Sequence, residues 1–396
     1  MKKNILILVF CFLSVSCCAQ EILSPKPKAK FLTSFPFRQF SGGVIVVNAL
    51  LNNIPDTLNF IFDTGCGGIS LDSATCVQLG INPTPSDTTI TGMGGSHKVS
   101  FAFNQTLHLP GLNVNGLNFH INDYSLLSSV YGQKIDGIIG YSFLIRYIVK
   151  VNFDSLRMEV YTPGEIKYPK EGTLLHPVFN SLPMQNLRIK DARKIDFNFY
   201  FDMGAGLCFL MSKNFSDDSS ILLKHHSLFI TRAQGLGGRL QMAETVIKQV
   251  EIGNYKFRDV PTYIYDDGYN VTQYPNTGGL VGDDILRRFN LIINYPNQEI
   301  HLLPNSHFND TFDYAYTGIA MYFIDGRIVV DGVMRKSPAE KAGLLKGDIL
   351  VAVGGNTSND IMQYENLLES LDGKIQILIN RDGYLHLLNI EPISIK

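Results

Sequence analysis

The chain has 396 residues, room for two or three domains of about 100–200 residues each, and 45% of it is hydrophobic and 18% charged. Its 34 Lys and Arg against 36 Asp and Glu leave a formal net charge of −2 at pH 7; with no long block of either sign, this excludes a polybasic nucleic-acid binder and an acidic disordered tail. The 35 glycines, 25 Phe and 18 Tyr, with no Trp, mark a mostly β chain, because turns need glycine and pleated faces favour aromatics.

The opening MKKNILILVFCFLSVSCCAQ carries two lysines, an apolar run from Ile5 to Val15 and a small-residue exit. That pattern predicts a signal peptide over residues 1–19 and export through the inner membrane to the periplasm or the exterior. Cleavage after Ala19 leaves a soluble product, whereas lipid attachment at Cys17 or Cys18 leaves an anchored one. Small residues at Cys17 and Ala19 suit cleavage, and neither cysteine follows a leucine at the third position before it. No later stretch is long and apolar enough to span a bilayer.

Beyond the signal the chain repeats itself. FIFDTGCGGISL around Asp63 returns as FYFDMGAGLCFL around Asp202, ITGMGGS around Gly92 as AQGLGGR around Gly235, and DGIIGYSFL as GGLVGDDIL. The three matches come in the same order at nearly equal intervals, as in a duplicated unit. Between the first two motifs, DSATCVQLGI predicts a short helix capped by Asp72 and stopped by Gly80. After each third motif, the alternation in VKVNF and LIINY with a turn at Asp154-Ser155 or Pro296-Asn297 predicts a hairpin closing the unit. Two mostly β lobes follow, over residues 31–165 and 166–305, with a ligand cleft expected between them.

From residue 311 to residue 396 the pattern changes to a small α+β module. Ser337 caps a helix that starts at Pro338 and stops at Gly343, a strand and a Gly354-Gly355 turn follow, and a second helix is expected from Met362 to Leu371. KIQILINRDG and YLHLLNIEPI complete it as a strand pair. No Pro- or Ser-rich linker separates the module from the second lobe, so it is expected to sit beside that lobe.

An aspartate ending an apolar run and followed by a tight glycine turn places a carboxylate among backbone amides. Two repeats bring two such carboxylates together, and when close they share a proton: one acts as base toward a water while the other donates to a carbonyl. Cys66, Cys76 and Cys208 lack metal-ligand spacing and read as buried small hydrophobes, with a Cys66–Cys76 bridge open in an oxidising compartment. The nine histidines show no HExxH pattern, and His225-His226 read as surface residues. Asp217-Asp218, Asp266-Asp267 and Asp283-Asp284 read as solvated acids or caps. No metal and no cofactor is expected.

Asp63-Thr64-Gly65, the glycine string that follows it and Ile138-Ile139-Gly140 resemble the aspartyl proteases of the retropepsin and pepsin type over about Ser41 to Leu303, with both lobes in one chain. The resemblance implies two homologous acid-protease β lobes acting as a monomer. It makes Asp63 and Asp202 the catalytic pair on loops that include Thr64, Gly65, Met203 and Gly204. It places Gly92, Met93, Gly94 and Gly95, and likewise Gly235, Leu236, Gly237 and Gly238, in flaps over a polypeptide substrate, and it makes Ile139, Gly140, Val281 and Gly282 braces for the two loops. Met203 departs from the family's Thr or Ser, and Thr64 is therefore expected to lose its symmetric partner. The implied activity is an aspartic endopeptidase, and the alternative is a decayed protease body that binds peptides. SPAEKAGLLKGDILVAVGG resembles a PDZ domain of bacterial proteases, which implies that the loop at Thr317, Gly318, Ile319 and Ala320 holds a polypeptide terminus.

Overall fold

The computed structural model describes residues 26–235 and 237–396. The expected signal peptide, both candidate lipid-attachment cysteines and Leu236 lie outside these residues. Helices, in chain order, are α1 (Ser73–Gln78), α2 (Ser125–Tyr131), α3 (Tyr141–Leu144), α4 (Lys213–Ser219), α5 (Asp283–Leu286), α6 (Pro338–Lys341) and α7 (Ile361–Leu368). All are short, and strands carry the architecture. Among the described residues no helix is long and apolar enough to cross a membrane.

The two repeats fold alike. In the first, strand Gly137–Ile139 lies between Leu58–Phe62, which it pairs in parallel, and Ile69–Asp72, which it pairs antiparallel. In the second, Gly279–Val281 lies in the same way between Lys194–Phe201 and Phe209–Ser212. These central strands are apolar on both faces because both faces are covered. Phe60 and Phe62 point into the main core while Ile61 joins a second cluster with Phe40, Tyr124 and Tyr131; such two-sided burial explains the unbroken apolar runs before each aspartate.

The closing hairpins form as the alternation predicts, Ile148–Asn152 with Arg157–Tyr161 and Phe289–Asn294 with Glu299–Pro304. They also pair with each other, Val149 opposite Ile293 and Val151 opposite Leu291. A six-stranded sheet therefore runs across both lobes, edged by Phe31–Pro36 and Thr173–Leu175. Val149, Val151, Leu291 and Ile293 are almost completely buried, at about 1.5–3 kcal/mol of stabilisation for each such side chain, so the lobes share one core. Helix α1 carries the expected Asp72 cap, whose carboxylate accepts from the Thr75 amide.

The C-terminal module is a five-stranded sheet in the order Ile319–Ile324, Arg327–Val333, Ile349–Val353, Ile375–Arg381, Tyr384–Ile390, packed with α6 and α7 around Ile328, Val330, Leu350, Tyr364 and Ile377. Ser337 caps α6 by accepting from the Glu340 amide. The module touches both lobes rather than the second alone. On the second-lobe side Tyr316 donates to the Ile230 carbonyl at 2.7 Å and Arg239 lies over the Tyr322 ring at 5.1 Å. On the first-lobe side α2 lies against strand Ile319–Ile324 and against α7, and Met362 packs beside Leu127 and Val130.

Candidate functional site

Each Asp-x-Gly loop hangs from its central strand. The Asp63 amide donates to Ile139 O at 2.9 Å and the Asp202 amide to Val281 O at 3.0 Å. The next residue on each strand has to be glycine: a Cβ on Gly140 would stand 2.7 Å from the Cys66 Cβ, and one on Gly282 would stand 2.7 Å from Ala205 O. The turns close on themselves, with Gly65 N donating to Asp63 Oδ1 at 2.6 Å and Gly204 N to Asp202 Oδ1 at 2.9 Å.

The structure brings the two carboxyls into side-chain hydrogen-bond contact. Burial is the main reason that both hold their protons above the ordinary carboxylate range. For Asp63 the neighbouring charge of Asp202 adds to it, and the effect on Asp63 is the larger. Two buried acids this close cannot both ionise at ordinary cost, so the pair retains a shared proton.

Met203 supplies no symmetric hydroxyl, yet Thr64 is not left without partners across the lobe interface. Thr64 Oγ1 donates to Phe201 O at 2.7 Å and accepts from Met203 N at 2.9 Å. Its partners are main-chain groups of the opposite loop, which any residue but proline at 203 supplies, and the Met203 side chain is buried in the core instead. Tyr295 adds a hydroxyl that donates to Thr64 O at 3.3 Å.

The glycine strings form two hairpin tips. Strands Thr89–Gly92 and Gly95–Lys98 turn at Met93 and Gly94, while Phe229–Gly235 pairs with Gly238–Ile252. The tips meet: Gly237 N donates to Met93 O at 2.9 Å, and Gly94 N donates to the Tyr265 hydroxyl at 3.2 Å. A Cβ on Gly95 would stand 2.7 Å from Gly237 O, so main chain crosses main chain and a side chain has no room. Tip-to-tip contact, beyond the need for a tight turn, accounts for glycine on both sides.

A cavity of about 1430 Å³ holds both carboxyls. Its walls include Met93 and Gly235 from the flaps, Tyr124 and Tyr131 from the first lobe, and Met362 and Glu365 from α7. Sequence reasoning missed α7 as a wall, since nothing local in an amphipathic helix of the C-terminal module signals it. Its attachment is a hydrogen bond from Ser41 Oγ to Glu365 Oε2 at 3.2 Å. Of the four residues expected to hold a terminus, Thr317 and Gly318 precede strand Ile319–Ile324 and Ile319 and Ala320 open it; none of them lines the cavity, and Thr317 O accepts from Ala339 N and Gly318 O from Met334 N. Strand Ile319–Ile324 is the edge of its sheet and is the strand that α2 lies against.

Cys66, Cys76 and Cys208 are buried as expected, and among the described residues the Cys66–Cys76 bridge left open by the sequence is not formed. Two other readings change. His226 is half-buried, its Nε2 2.6 Å from Asp191 Oδ2 and its Nδ1 3.2 Å from the Thr245 hydroxyl, because the Ala192 turn folds back on that loop. Asp283 is not a solvated acid: it is fully buried and neither carboxyl oxygen has a hydrogen-bond partner among the described residues. The only local cue is its place directly after the brace glycine, where the first repeat has Tyr141.

Burial, reinforced by the charge of Asp202, raises the Asp283 carboxyl well above its ordinary range. The unfolded chain ionises such a group near pH 3.9, so the stability it allows below that pH is lost as pH rises from there through the folded-state value. Asp283→Asn is therefore expected to raise the melting temperature at pH 7 and to leave it nearly unchanged at pH 3. Thermal melts at the two pH values check this; equal shifts at both would mean that charge is not the cause.

Residues 47–143 match the family model described as aspartyl protease, and residues 329–381 match the one described as PDZ domain. No curated protein matches the chain. The two domains support a protease with a peptide-binding module.

Proposed function

We propose that this chain, an aspartyl protease domain joined to a PDZ domain, is an exported aspartic endopeptidase whose two lobes supply Asp63 and Asp202 as the catalytic pair. The observation that carries this reading is the contact of two buried carboxyls at equivalent places in a repeated fold, inside a cavity roofed by two hairpin tips. The ionised member of the pair takes a proton from a water, whose oxygen bonds to the scissile carbonyl carbon. The protonated member gives its proton to the carbonyl oxygen. Collapse of the tetrahedral diol breaks the C–N bond: the proton held by the base passes to the leaving nitrogen, while a diol hydroxyl returns its proton to the other carboxylate as the C=O bond re-forms, which restores the pair to one shared proton.

Because one chain carries both carboxyls, a monomer suffices. The flaps hold the polypeptide over the pair, and their glycines let main chain lie against main chain. Export, with either a free or a lipid-anchored product, rests on the pattern of residues 1–19. A polypeptide terminus captured at Thr317, Gly318, Ile319 and Ala320 would add a strand beside Ile319–Ile324 in competition with α2. The test is cleavage of an unfolded protein by the purified mature chain, expected to be blocked by pepstatin. Cleavage that pepstatin leaves untouched, or none across pH 3 to 8, would overturn the endopeptidase reading.

A further inference from the structure

The PDZ helix α7 faces the same cavity as the two carboxyls, and its Met362 and Glu365 and its C-cap residue Glu369 all line it. Spaced three and four residues apart, they share one face of the helix. Glu365 accepts from Ser41 and Glu369 stays open to the cavity; among the described residues no basic group lowers either, and desolvation raises Glu365 to about 7 and Glu369 to about 8, helped by the charges of Asp360 and of Asp313. The cations lining the cavity are Arg232 and Arg287, and both are committed elsewhere. Arg287 pairs with Asp284 at 2.7 Å and Asp310 at 3.3 Å, and Arg232 stands 3.8 Å from Asp331. The wall beside the glutamates is apolar, formed by Met362, Leu127, Val130 and Tyr131.

An apolar patch and two carboxyls on the lining of one cavity fit a long aliphatic stem that ends in a positive charge. We propose that α7 is a specificity wall of the cleft and that Glu365 and Glu369 receive a lysine or arginine side chain of the polypeptide substrate. This inference rests on the endopeptidase reading of the same cavity and adds the substrate class to it. The PDZ module then selects what is cut by forming part of the cleft, in addition to any terminus it captures at its own edge strand.

The experiment uses the full mature chain and a peptide set with one scissile bond, in which lysine replaces norleucine at each flanking position in turn. The wild type is expected to favour lysine at one position by about tenfold in kcat/KM, equivalent to about 1.4 kcal/mol. In E365Q/E369Q that ratio should fall to about one, and in E365K/E369K glutamate should become preferred over glutamine at the same position. A lysine preference that survives E365Q/E369Q, or a wild type that cleaves without any lysine preference, overturns the proposal. A wild type that cleaves no peptide refutes the endopeptidase reading by itself, and calorimetric binding of the lysine and norleucine peptides then decides the present one. A lysine affinity advantage that E365Q/E369Q abolishes supports it, and equal affinities for the two wild-type complexes overturn it.

Discussion

Asp63→Asn and Asp202→Asn are each expected to lower kcat/KM for a cleaved peptide by about 10² to 10⁴ or more, the usual contribution of a positioned proton transfer. The cause is the shared proton. The two carboxyls touch, and burial holds both above the ordinary carboxylate range, so one can be acid while the other is base. An asparagine on either side can be neither. The pH profile should carry the same signature: activity requires one proton on the pair, so it persists above the ordinary carboxylate range and falls as pH rises through the elevated value. Steady-state kinetics on both variants check this. If Asp202→Asn kept full activity while Asp63→Asn abolished it, the pair would have to form between two copies of Asp63 in a dimer.

Gly204→Ala is expected to cost about 10²-fold in kcat, the scale on which a misplacement of roughly 1 Å acts on a catalytic group. A Cβ at Gly204 would stand 2.6 Å from Asp63 Oδ2, and one at Gly65 would stand equally close to the carboxyl of Asp202. Each loop therefore leaves room for the other lobe's acid, and a methyl group on one side drives the opposite carboxyl out of register. Thermal stability should fall far less, since the clash can be relieved by turning one side chain. Kinetics and a melt on the same preparation separate the two effects. An active Gly204→Ala variant would mean that the loops do not face each other as described.

Much of the local structure was readable from the residues because it is enforced within a few positions. The Asp72 and Ser337 caps, the α6 stop at Gly343 and the two closing hairpins each depend on contacts between near neighbours. Helix α7 starts one residue before its expected position, at Ile361 behind an Asp360 cap, and ends at Leu368 instead of Leu371. The duplication was readable too, because equal strings at nearly equal intervals impose equal topology on the two lobes.

What the sequence determined by itself was therefore the two mostly β lobes, the small module after them and the pair of Asp-x-Gly turns, since periodicity, capping and repetition are properties of neighbouring residues. Only the tertiary structure decided which main-chain groups hold Thr64, why both flap tips are glycine, that Asp283 is a buried acid without hydrogen-bond partners among the described residues and that α7 forms a wall of the cleft. Each of these depends on partners far along the chain, such as Ser41 with Glu365 or Met93 with Gly237. A residue's own type does not record which distant surface excludes its water or supplies its hydrogen bond, and burial and backbone contact, which set its chemistry, exist only once the chain has packed.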